Sequence, residues 1–251
     1  MNILVIPDTQ VRPGVDLSYL SWIGQYAAAK RPDVIVHMGD HWDMPSLSSY
    51  DFGKKQYEGR RYLADIEAGN EGFRLLDDPI SEVAERQRRN KEKQWKPRKV
   101  FLRGNHEQRV ERAVNSDAKL EGIIGYHDMN TLDWEVHDFL EVIEIEDVAF
   151  SHYFTTGVAG KPASTANAQL TKKHQSCIAG HQQGRQVATA YKANGRQITS
   201  IIAGSAYPHE ENYLGKQGNK HWRGVIMLHQ VDEGSFDEMF VSLDYLKGKY
   251  D

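Results

Sequence analysis

The sequence contains very little cysteine: Cys177 is the one cysteine among 251 residues. A lone cysteine cannot close an internal disulfide, and its isolation excludes a cysteine-rich zinc site. No apolar run approaches the ~20 residues that a membrane span needs. The apolar start, 2–7, is too short for a signal peptide and is followed at once by Asp8. We therefore expect a cytoplasmic protein without a membrane partner.

Neither sign of charge dominates the chain, because Lys and Arg number 31 against 35 for Asp and Glu, a net charge of −4. No global basic field therefore favours nucleic acid as a partner. Internal repeats and low-complexity tracts are absent as well. The composition is that of an ordinary folded chain, 39% hydrophobic and 26% charged. The length predicts one domain over residues 1–251.

The first apolar segments predict a β-α-β unit. An apolar, β-branched run at 2–7 precedes helical spacing over 18–31 and a second apolar run at 33–38, an order that is typical of a mainly parallel sheet. Two runs at 139–145 and 148–153 flank an acidic turn and predict a hairpin. Later segments predict helices at 106–115 and 168–176, and strands at 99–102, 177–180, 197–204, 224–231 and 235–243. The fold class is thus α/β, with sandwich-like mixed sheets flanked by helices.

Residues 50–98 form a polar, heavily charged excursion between two strands. Its apolar positions predict two helices that break near Asp78-Pro79, which makes the segment a helical insertion or cap. Its end, "RQRRNKEKQWKPRK" at 86–99, is basic and contains Trp95. Lys and Arg contact phosphates and Trp stacks on bases, so nucleic-acid binding is one interpretation. The alternative is a solvated helix face. The segment leads into the strand predicted at 99–102, so we expect it to overhang a site at the end of that strand as a cap.

Chemically active side chains follow five of the predicted strands. They are Asp8 and Gln10; Asp40 and Asp43; Asn105, His106 and Glu107; His152; and His181 and Gln183. Ligand sites of α/β sheets lie beyond the carboxyl ends of the strands. Residues two apart in an extended chain point to the same side, so each of the first and last pairs can hold one centre. Carboxylate, amide and imidazole donors suit Mn, Fe, Zn or Mg rather than a thiolate-loving metal.

These blocks resemble the motif set of the calcineurin-like metallophosphoesterases, which runs D-x-H, G-D-x-x-D, G-N-H-[ED], H and G-H-x-H. The chain has D-T-Q at 8–10, G-D-H-W-D at 39–43, G-N-H-E at 104–107, His152, and G-H-Q-Q at 180–183. The resemblance covers about residues 1–205. It implies that family's β-sandwich fold and a metal-dependent phosphoesterase with a dinuclear metal centre.

The resemblance also implies which residues hold the metals. Asp40 matches the carboxylate that bridges two ions, and Asp8 matches a ligand of one of them. Asn105, His152 and His181 match the ligands of the other ion. Two cations held close together clamp phosphoryl oxygens and make hydroxide available near neutral pH.

Catalytic roles follow from the same resemblance. His106 matches the residue that contacts phosphate and protonates the leaving group, and Asp43 matches the acid that orients it. Asn105 is a further candidate for phosphate contact. Arg103, which precedes Gly104, is another, with a structural salt bridge as the alternative.

The chain departs from the family pattern at two positions, where Gln10 and Gln183 stand in place of histidine. In the family both positions serve the metal that also uses Asp8. We therefore expect one tight site and one weaker site. The tight site consists of Asp40, Asn105, His152 and His181, and the weaker one of Asp8, Asp40, Gln10 and Gln183. Manganese is the ion we favour, with Zn, Fe, Mg and Ni as alternatives.

The expected function is hydrolysis of a phosphate ester by metal-activated hydroxide. A diester is favoured over a monoester, because a weakened metal site neutralises a monoanion more easily than a dianion. The basic segment favours a nucleotide or nucleic acid as the substrate. Two alternatives stay open: a metal-bound scaffold protein with weak catalysis, and a nuclease that acts on DNA with a partner.

Overall fold

Two mixed β-sheets form the centre of the fold in a computed structural model, which describes residues 1–211 and 214–251 apart from the side chain at position 56. The strands within these ranges are β1 (Ile3–Ile6), β2 (Val34–His37), β3 (Arg98–Leu102), β4 (Glu135–His137), β5 (Ile143–Ile145), β6 (Val148–Ser151), β7 (Cys177–Ala179), β8 (Gln186–Tyr191), β9 (Gln197–Ile202), β10 (Gly224–Asp232) and β11 (Ser235–Ser242). The first sheet has the order β11-β10-β1-β2-β3-β4 and the second β5-β6-β7-β9-β8. The predicted α/β class with sandwiched mixed sheets is confirmed.

Helices pack on both sheets. In the described part of the chain they are α1 (Ser18–Lys30), α2 (Tyr62–Arg89), α3 (Gln108–Ser116), α4 (Ala166–Lys173), α5 (Gly215–Gly218) and α6 (Leu243–Tyr250). Helices α1, α2 and α6 pack on the first sheet, and α4 packs on the second. None of the helices in these ranges is long and apolar enough to cross a membrane.

The β-α-β unit and the hairpin form as the sequence predicts. Strands β1 and β2 pair in parallel through Ile3 and Val34, with α1 as the crossover. Strands β5 and β6 pair antiparallel across Glu146 and Asp147, which have φ values of 48° and 60°. Two positive φ values are the signature of a type I′ turn, whose twist matches the flanking strands.

Both faces of the first sheet are buried, which explains its continuous apolar runs. On β1, Leu4 and Ile6 belong to the core beneath α1, α2 and α6, whereas Ile3 and Val5 belong to the core between the two sheets. This alternation follows from the period of two in a strand. The two cores leave the carboxyl ends of β1, β2 and β3 free to carry the site.

Helix α2 corrects one prediction: it runs unbroken from Tyr62 to Arg89, with Pro79 inside it. An internal proline costs about 3 kcal/mol. The helix buries Phe73, Leu76 and Ile80 around that point, and each such side chain contributes about 1.5–3 kcal/mol. The burial outweighs the cost, so the helix continues.

The basic segment also corrects a prediction, because it does not overhang the site. Arg86 lies 21 residues after Asp65 in α2, which places the two about 30 Å apart at 1.5 Å per residue. Trp95 packs onto the body of the protein: its Nε1 donates to the carbonyl of Pro32 at 2.7 Å, and its backbone N–H to Oε1 of Gln87 at 2.7 Å. Its ring is partly buried against the helical core. Trp95 is thus not free to stack on a base.

Candidate metal centre and active-site cavity

Sharp turns at the carboxyl ends of the strands bring the predicted blocks together. A Cβ atom on Gly104 would lie 2.1 Å from Oδ1 of Asp40, so only glycine allows this approach. Gln10, Asp40 and His181 all have positive φ, at 39°, 49° and 66°. Such strain in non-glycine residues is typical of functional sites.

Three of the predicted metal ligands form a compact cluster. Ligand atoms of Asp40, His152 and His181 all lie within 4.8 Å of one another. The predicted fourth ligand, Asn105, joins them through Oδ1, which is 2.7 Å from Nδ1 of His181 and 3.1 Å from Nε2 of His152. All of these side chains are at least partly buried.

The donor set of this cluster fits a cation. Nδ1 of His152 donates to the carbonyl of Met38 at 2.7 Å. In the neutral ring that a metal requires, the lone pair of Nε2 therefore points at Asn105 and at Oδ2 of Asp40, 3.4 Å away. Electron pairs that converge in this way repel unless a proton or a metal ion lies between them. Burial works against charge on the ring, but Asp40 and Asp8 raise the pKa of His152 to about 9. Burial and His152 lower the pKa of His181 to about 4, which keeps its ring neutral as a ligand must be.

The second predicted site is poorer in donors. Asp8 is fully buried, and its Oδ1 accepts from the backbone N–H of His181 at 3.0 Å. Gln183 directs Nε2 at Oδ2 of Asp8, at 3.4 Å, while its Oε1 accepts from the hydroxyl of Tyr207 at 2.7 Å. Gln10 is 1% exposed and lines the cavity. Burial, and then the charge of Asp40, raise the pKa of Asp8, so a cation beside Asp8 would be stabilising.

His106 and Asp43 form a hydrogen-bonded pair beside the cluster. Nδ1 of His106 donates to Oδ1 of Asp43 at 2.7 Å, and the backbone N–H of His106 donates to Oδ1 of Asp40 at 2.9 Å. Burial opposes charge on the His106 ring, but Asp40 and Asp43 together raise its pKa. Burial likewise opposes ionisation of Asp43, but His106, Arg109 and Arg12 hold its pKa below the ordinary value.

Glu107 holds two turns of the site together through hydrogen bonds, a role that the sequence analysis did not identify. Its buried carboxylate accepts backbone N–H groups from two loops: Gly104 at 2.7 Å, Asp40 at 3.0 Å, His41 at 2.6 Å and Trp42 at 2.9 Å. The acid thus ties the G-D-H-W-D turn to the G-N-H-E turn. The signal for it was present, since Glu107 is the last residue of that block.

A cavity of about 840 Å³ opens beside these groups. Predicted residues Gln10, Asp40, Asp43, His106, His181 and Gln183 line one side of it. The opposite wall consists of side chains from Pro45 to Asp65, which lie before and at the start of α2. Part 50–65 of the predicted insertion thus reaches the site, whereas its basic end does not.

Arg12 and Glu211 are charged residues of the cavity wall that the sequence analysis did not identify. Nη1 of Arg12 contacts Oδ2 of Asp43 at 3.1 Å and Oε1 of Glu211 at 2.7 Å. This ion pair joins two distant parts of the chain and holds Asp43 from the side opposite His106. Arg12 follows Gln10 by two residues, but nothing in the local sequence indicated Glu211.

Arg103 lies outside the cavity lining. It forms an ion pair with Asp138, and its guanidinium carbon is 3.8 Å from the ring centre of Tyr126. These contacts are those of the structural alternative to phosphate binding.

Comparisons with known proteins agree with the motif blocks. The sequence model for the calcineurin-like phosphoesterases matches residues 1–182. The chain is 26% identical over 247 residues to the Gene 54 protein of Mycobacterium phage L5. The aligned region covers 92% of this chain and 89% of that protein. Among solved structures, Yfce, a phosphoesterase from E. coli, has 12% identity and a TM-score of 0.44, with 96% and 100% of the two chains covered. The sequence match spans more than half of the chain, which therefore belongs to the calcineurin-like phosphoesterase family of metal-dependent phosphoesterases.

Proposed function

We propose that this protein is a phosphodiesterase in which His106, oriented by Asp43, protonates the leaving group. One observation carries the proposal. Nδ1 of His106 is held by Asp43, whereas Nε2 lies 3.7 Å from Oδ2 of Asp40 on the wall of the cavity. The second ring nitrogen, Nε2, thus lies beside the metal cluster, where a phosphate ester would bind.

The metal ions have one tight and one weaker site in this proposal. Asp40, Asn105, His152 and His181 hold the first ion; the ligands of the second are Asp8 and Asp40, with Gln10 and Gln183. We favour Mn²⁺ for both sites, since the donors are oxygen and imidazole nitrogen. When bound, the ions supply positive charge to the phosphoryl oxygens and lower the pKa of a nearby water.

The side chains provide the proton and the alignment. A water molecule gives one proton to solvent as its oxygen bonds to phosphorus in line with the leaving oxygen. As the bond to the leaving oxygen breaks, that oxygen takes a proton from Nε2 of the charged His106 ring, which solvent then reprotonates. Asp40 and Asp43 favour the charged ring, because both raise its pKa. The hydrogen bond from the His106 backbone to Asp40 keeps the proton donor in register with the metal cluster. No covalent enzyme intermediate is required.

A small diester suits the cavity better than a monoester. Gln183 presents an N–H group towards Asp8, so the second site offers little charge to a dianion. The cavity holds about 840 Å³, many times the ~30 Å³ of one water, which leaves room for an organic group beside the phosphate. The wall from Pro45 to Asp65 acts as a cap beside the cluster, and we favour a small molecule such as a nucleotide over a polymer. We also propose the cytoplasm as its location, as the lone Cys177 favours.

The test is hydrolysis of bis-p-nitrophenyl phosphate and p-nitrophenyl phosphate by the Mn²⁺-loaded protein, with kcat and KM measured for each. The proposal predicts a higher kcat/KM for the diester and its collapse in His106→Ala at unchanged metal content. Preference for the monoester would refute the diesterase assignment, and equal rates for wild type and His106→Ala would refute the role of His106.

A further inference from the structure

Four arginine side chains line the cavity, and their charges are balanced in different ways. Arg12 is held by both carboxylate oxygens of Glu211, at 2.7 and 2.9 Å. Arg60 is paired with Asp51 at 2.9 Å. Arg61 is exposed at the start of α2. Arg109 is partly buried beside the catalytic pair, and its nearest carboxylate oxygen among the described residues is Oδ1 of Asp43, at the longer distance of 3.7 Å.

The position of Arg109 is fixed by α3 and by the loop after β2. It follows His106 by three residues, a spacing that places two side chains on one face of a helical turn. Its Nη1 donates to the carbonyl of Asp43 at 2.7 Å and to that of Met44 at 3.3 Å. These two contacts anchor one edge of the guanidinium and leave the other edge beside the catalytic pair.

The other edge of the guanidinium has a poor acceptor. Nη2 lies 3.2 Å from Nε2 of His106, and an arginine N–H can only donate, so this imidazole nitrogen accepts in the present arrangement. A neutral nitrogen is a weaker partner for a permanent cation than an anionic oxygen is. The two oxygens of Asp43 are already engaged, one by His106 and one by Arg12. Nη2 thus carries donor capacity that no carboxylate in the described ranges takes up.

We propose that Arg109 is a substrate-binding residue, whose Nη2 donates to a non-bridging oxygen of the phosphoryl group. This rests on the proposed phosphoesterase function and adds a contact to it. A phosphoryl oxygen offers the planar fork a charged acceptor. When Nη2 turns to that oxygen, Nε2 of His106 is free to take up a proton from solvent and then to give it to the leaving oxygen.

The experiment compares Arg109→Ala and Arg109→Lys with wild type, all loaded with Mn²⁺. The surface variant Arg74→Ala is the control: Arg74 is half-exposed on α2 and pairs with Glu71 and Asp78. Binding of inorganic phosphate is measured by calorimetry, the KM and kcat of the diester by kinetics, and Mn²⁺ content by elemental analysis.

Loss of one charge-assisted hydrogen bond weakens phosphate binding by about 10- to 100-fold. We expect that loss in Arg109→Ala, a smaller one in Arg109→Lys, and none in Arg74→Ala, with Mn²⁺ content unchanged. Guanidinium added at millimolar concentration should restore part of the binding to Arg109→Ala. If phosphate binds Arg109→Ala as tightly as wild type while kcat falls, Arg109 only braces the loop and the proposal is wrong. If Arg109→Ala does not fold, the test rests on Arg109→Lys. Phosphate affinity in that variant equal to that of wild type would overturn the proposal.

The calorimetry separates this proposal from the function on which it rests. Wild-type protein that binds phosphate through Arg109 but cleaves neither ester would refute the phosphodiesterase and keep the contact. Wild-type protein that cleaves the diester, with no effect of Arg109 on phosphate or on KM, would keep the function and refute the contact.

Discussion

Gln183 donates an N–H group to Asp8: its Nε2 lies 3.4 Å from Oδ2 of the carboxylate, while its Oε1 accepts from the hydroxyl of Tyr207. To bind a metal, the amide must turn over and give its oxygen to the ion. The Tyr207 hydroxyl must then accept instead of donate. We therefore expect the proposed second metal site to be weak for two reasons, because it lacks imidazoles and because its amide nitrogen, not its oxygen, points at Asp8.

Restoring histidine should strengthen this site. In the double variant Gln10→His with Gln183→His, imidazole nitrogens replace both amides. We expect the second equivalent of Mn²⁺ to bind at least about tenfold more tightly, on the scale of changes known for groups that support metal sites. Equilibrium dialysis measures both equivalents, and Gln182→His is the matched control at the neighbouring position. Unchanged second-site affinity in the double variant would show that Asp8 and Asp40 do not form a metal site.

Glu107 is expected to carry a large share of local stability. In Glu107→Ala, four backbone N–H groups lose their acceptor, and each unsatisfied buried group costs about 1–3 kcal/mol. Water reaches some of them, so we predict a loss of about 3–5 kcal/mol in the free energy of unfolding. Urea denaturation measures it, with Glu111→Ala on the exposed side of α3 as control. A loss no larger than that of the control would mean that Glu107 does not hold the two turns together.

A chain of directional hydrogen bonds predicts sensitivity to acid. Gly39 N–H donates to His37, His37 to the oxygen of Thr9, Thr9 to Nδ1 of His41 at 2.7 Å, and His41 to the carbonyl of Gly69 at 2.9 Å. Each histidine is neutral in this order, and burial lowers the pKa of His41 to about 4. Protons therefore bind the unfolded chain first, and stability falls as the pH drops from about 6.5 towards 4.

The contribution of His41 can be isolated by substitution. The pKa of His41 is about 4 in the folded protein and near 6.5 in the unfolded chain. Through this residue, the free energy of unfolding of wild type should fall by about 2 kcal/mol between pH 7 and pH 5. Urea unfolding of metal-free protein at both pH values should show a loss smaller by that amount in His41→Gln. Equal pH dependence in the two proteins would contradict the neutral, buried state of His41.

The basic end of α2 should make no contribution to catalysis. Arg86, Arg88 and Arg89 lie about 30–36 Å along α2 from Asp65 on the cavity wall. We therefore expect their joint replacement by alanine to change kcat/KM for a small diester by less than about twofold. The second readout is binding of a fluorescent single-stranded oligonucleotide at two salt concentrations. Strong wild-type binding that disappears in the triple variant would revive the nuclease alternative.

The sequence predicted the elements whose pattern is local. The β-α-β unit, the hairpin and the ligand-type residues at the strand ends all follow from apolar periodicity and from motifs over a few residues. Helix α6 was missed although Ser242 caps it by accepting from the N–H of Tyr245 at 3.2 Å. The apolar run of β11 leads directly into this cap, so periodicity alone did not separate the two elements.

Other features depend on contacts that the sequence does not display. Helix α2 continues through Pro79 because it packs closely against α1 near Gly24, where a Cβ atom would lie 2.3 Å from the carbonyl of Leu76. Glu211 reaches Arg12 across 198 intervening residues. The amide orientation of Gln183 depends on Tyr207, which no motif connects to it. Long-range partners of this kind determine how the site works, and they are visible only in three dimensions.

The most direct test measures bound metal and diester hydrolysis in the same samples. Protein stripped of metal is titrated with Mn²⁺, bound metal is counted by elemental analysis, and bis-p-nitrophenyl phosphate turnover is followed in wild type, His181→Ala and His106→Ala. We predict that wild type binds one equivalent tightly, that turnover rises further as the second equivalent binds, that His181→Ala loses the tight equivalent, and that His106→Ala binds metal normally but is inactive. Tight metal binding by wild type without turnover above that of His106→Ala would contradict the assignment and indicate a metal-bound scaffold protein.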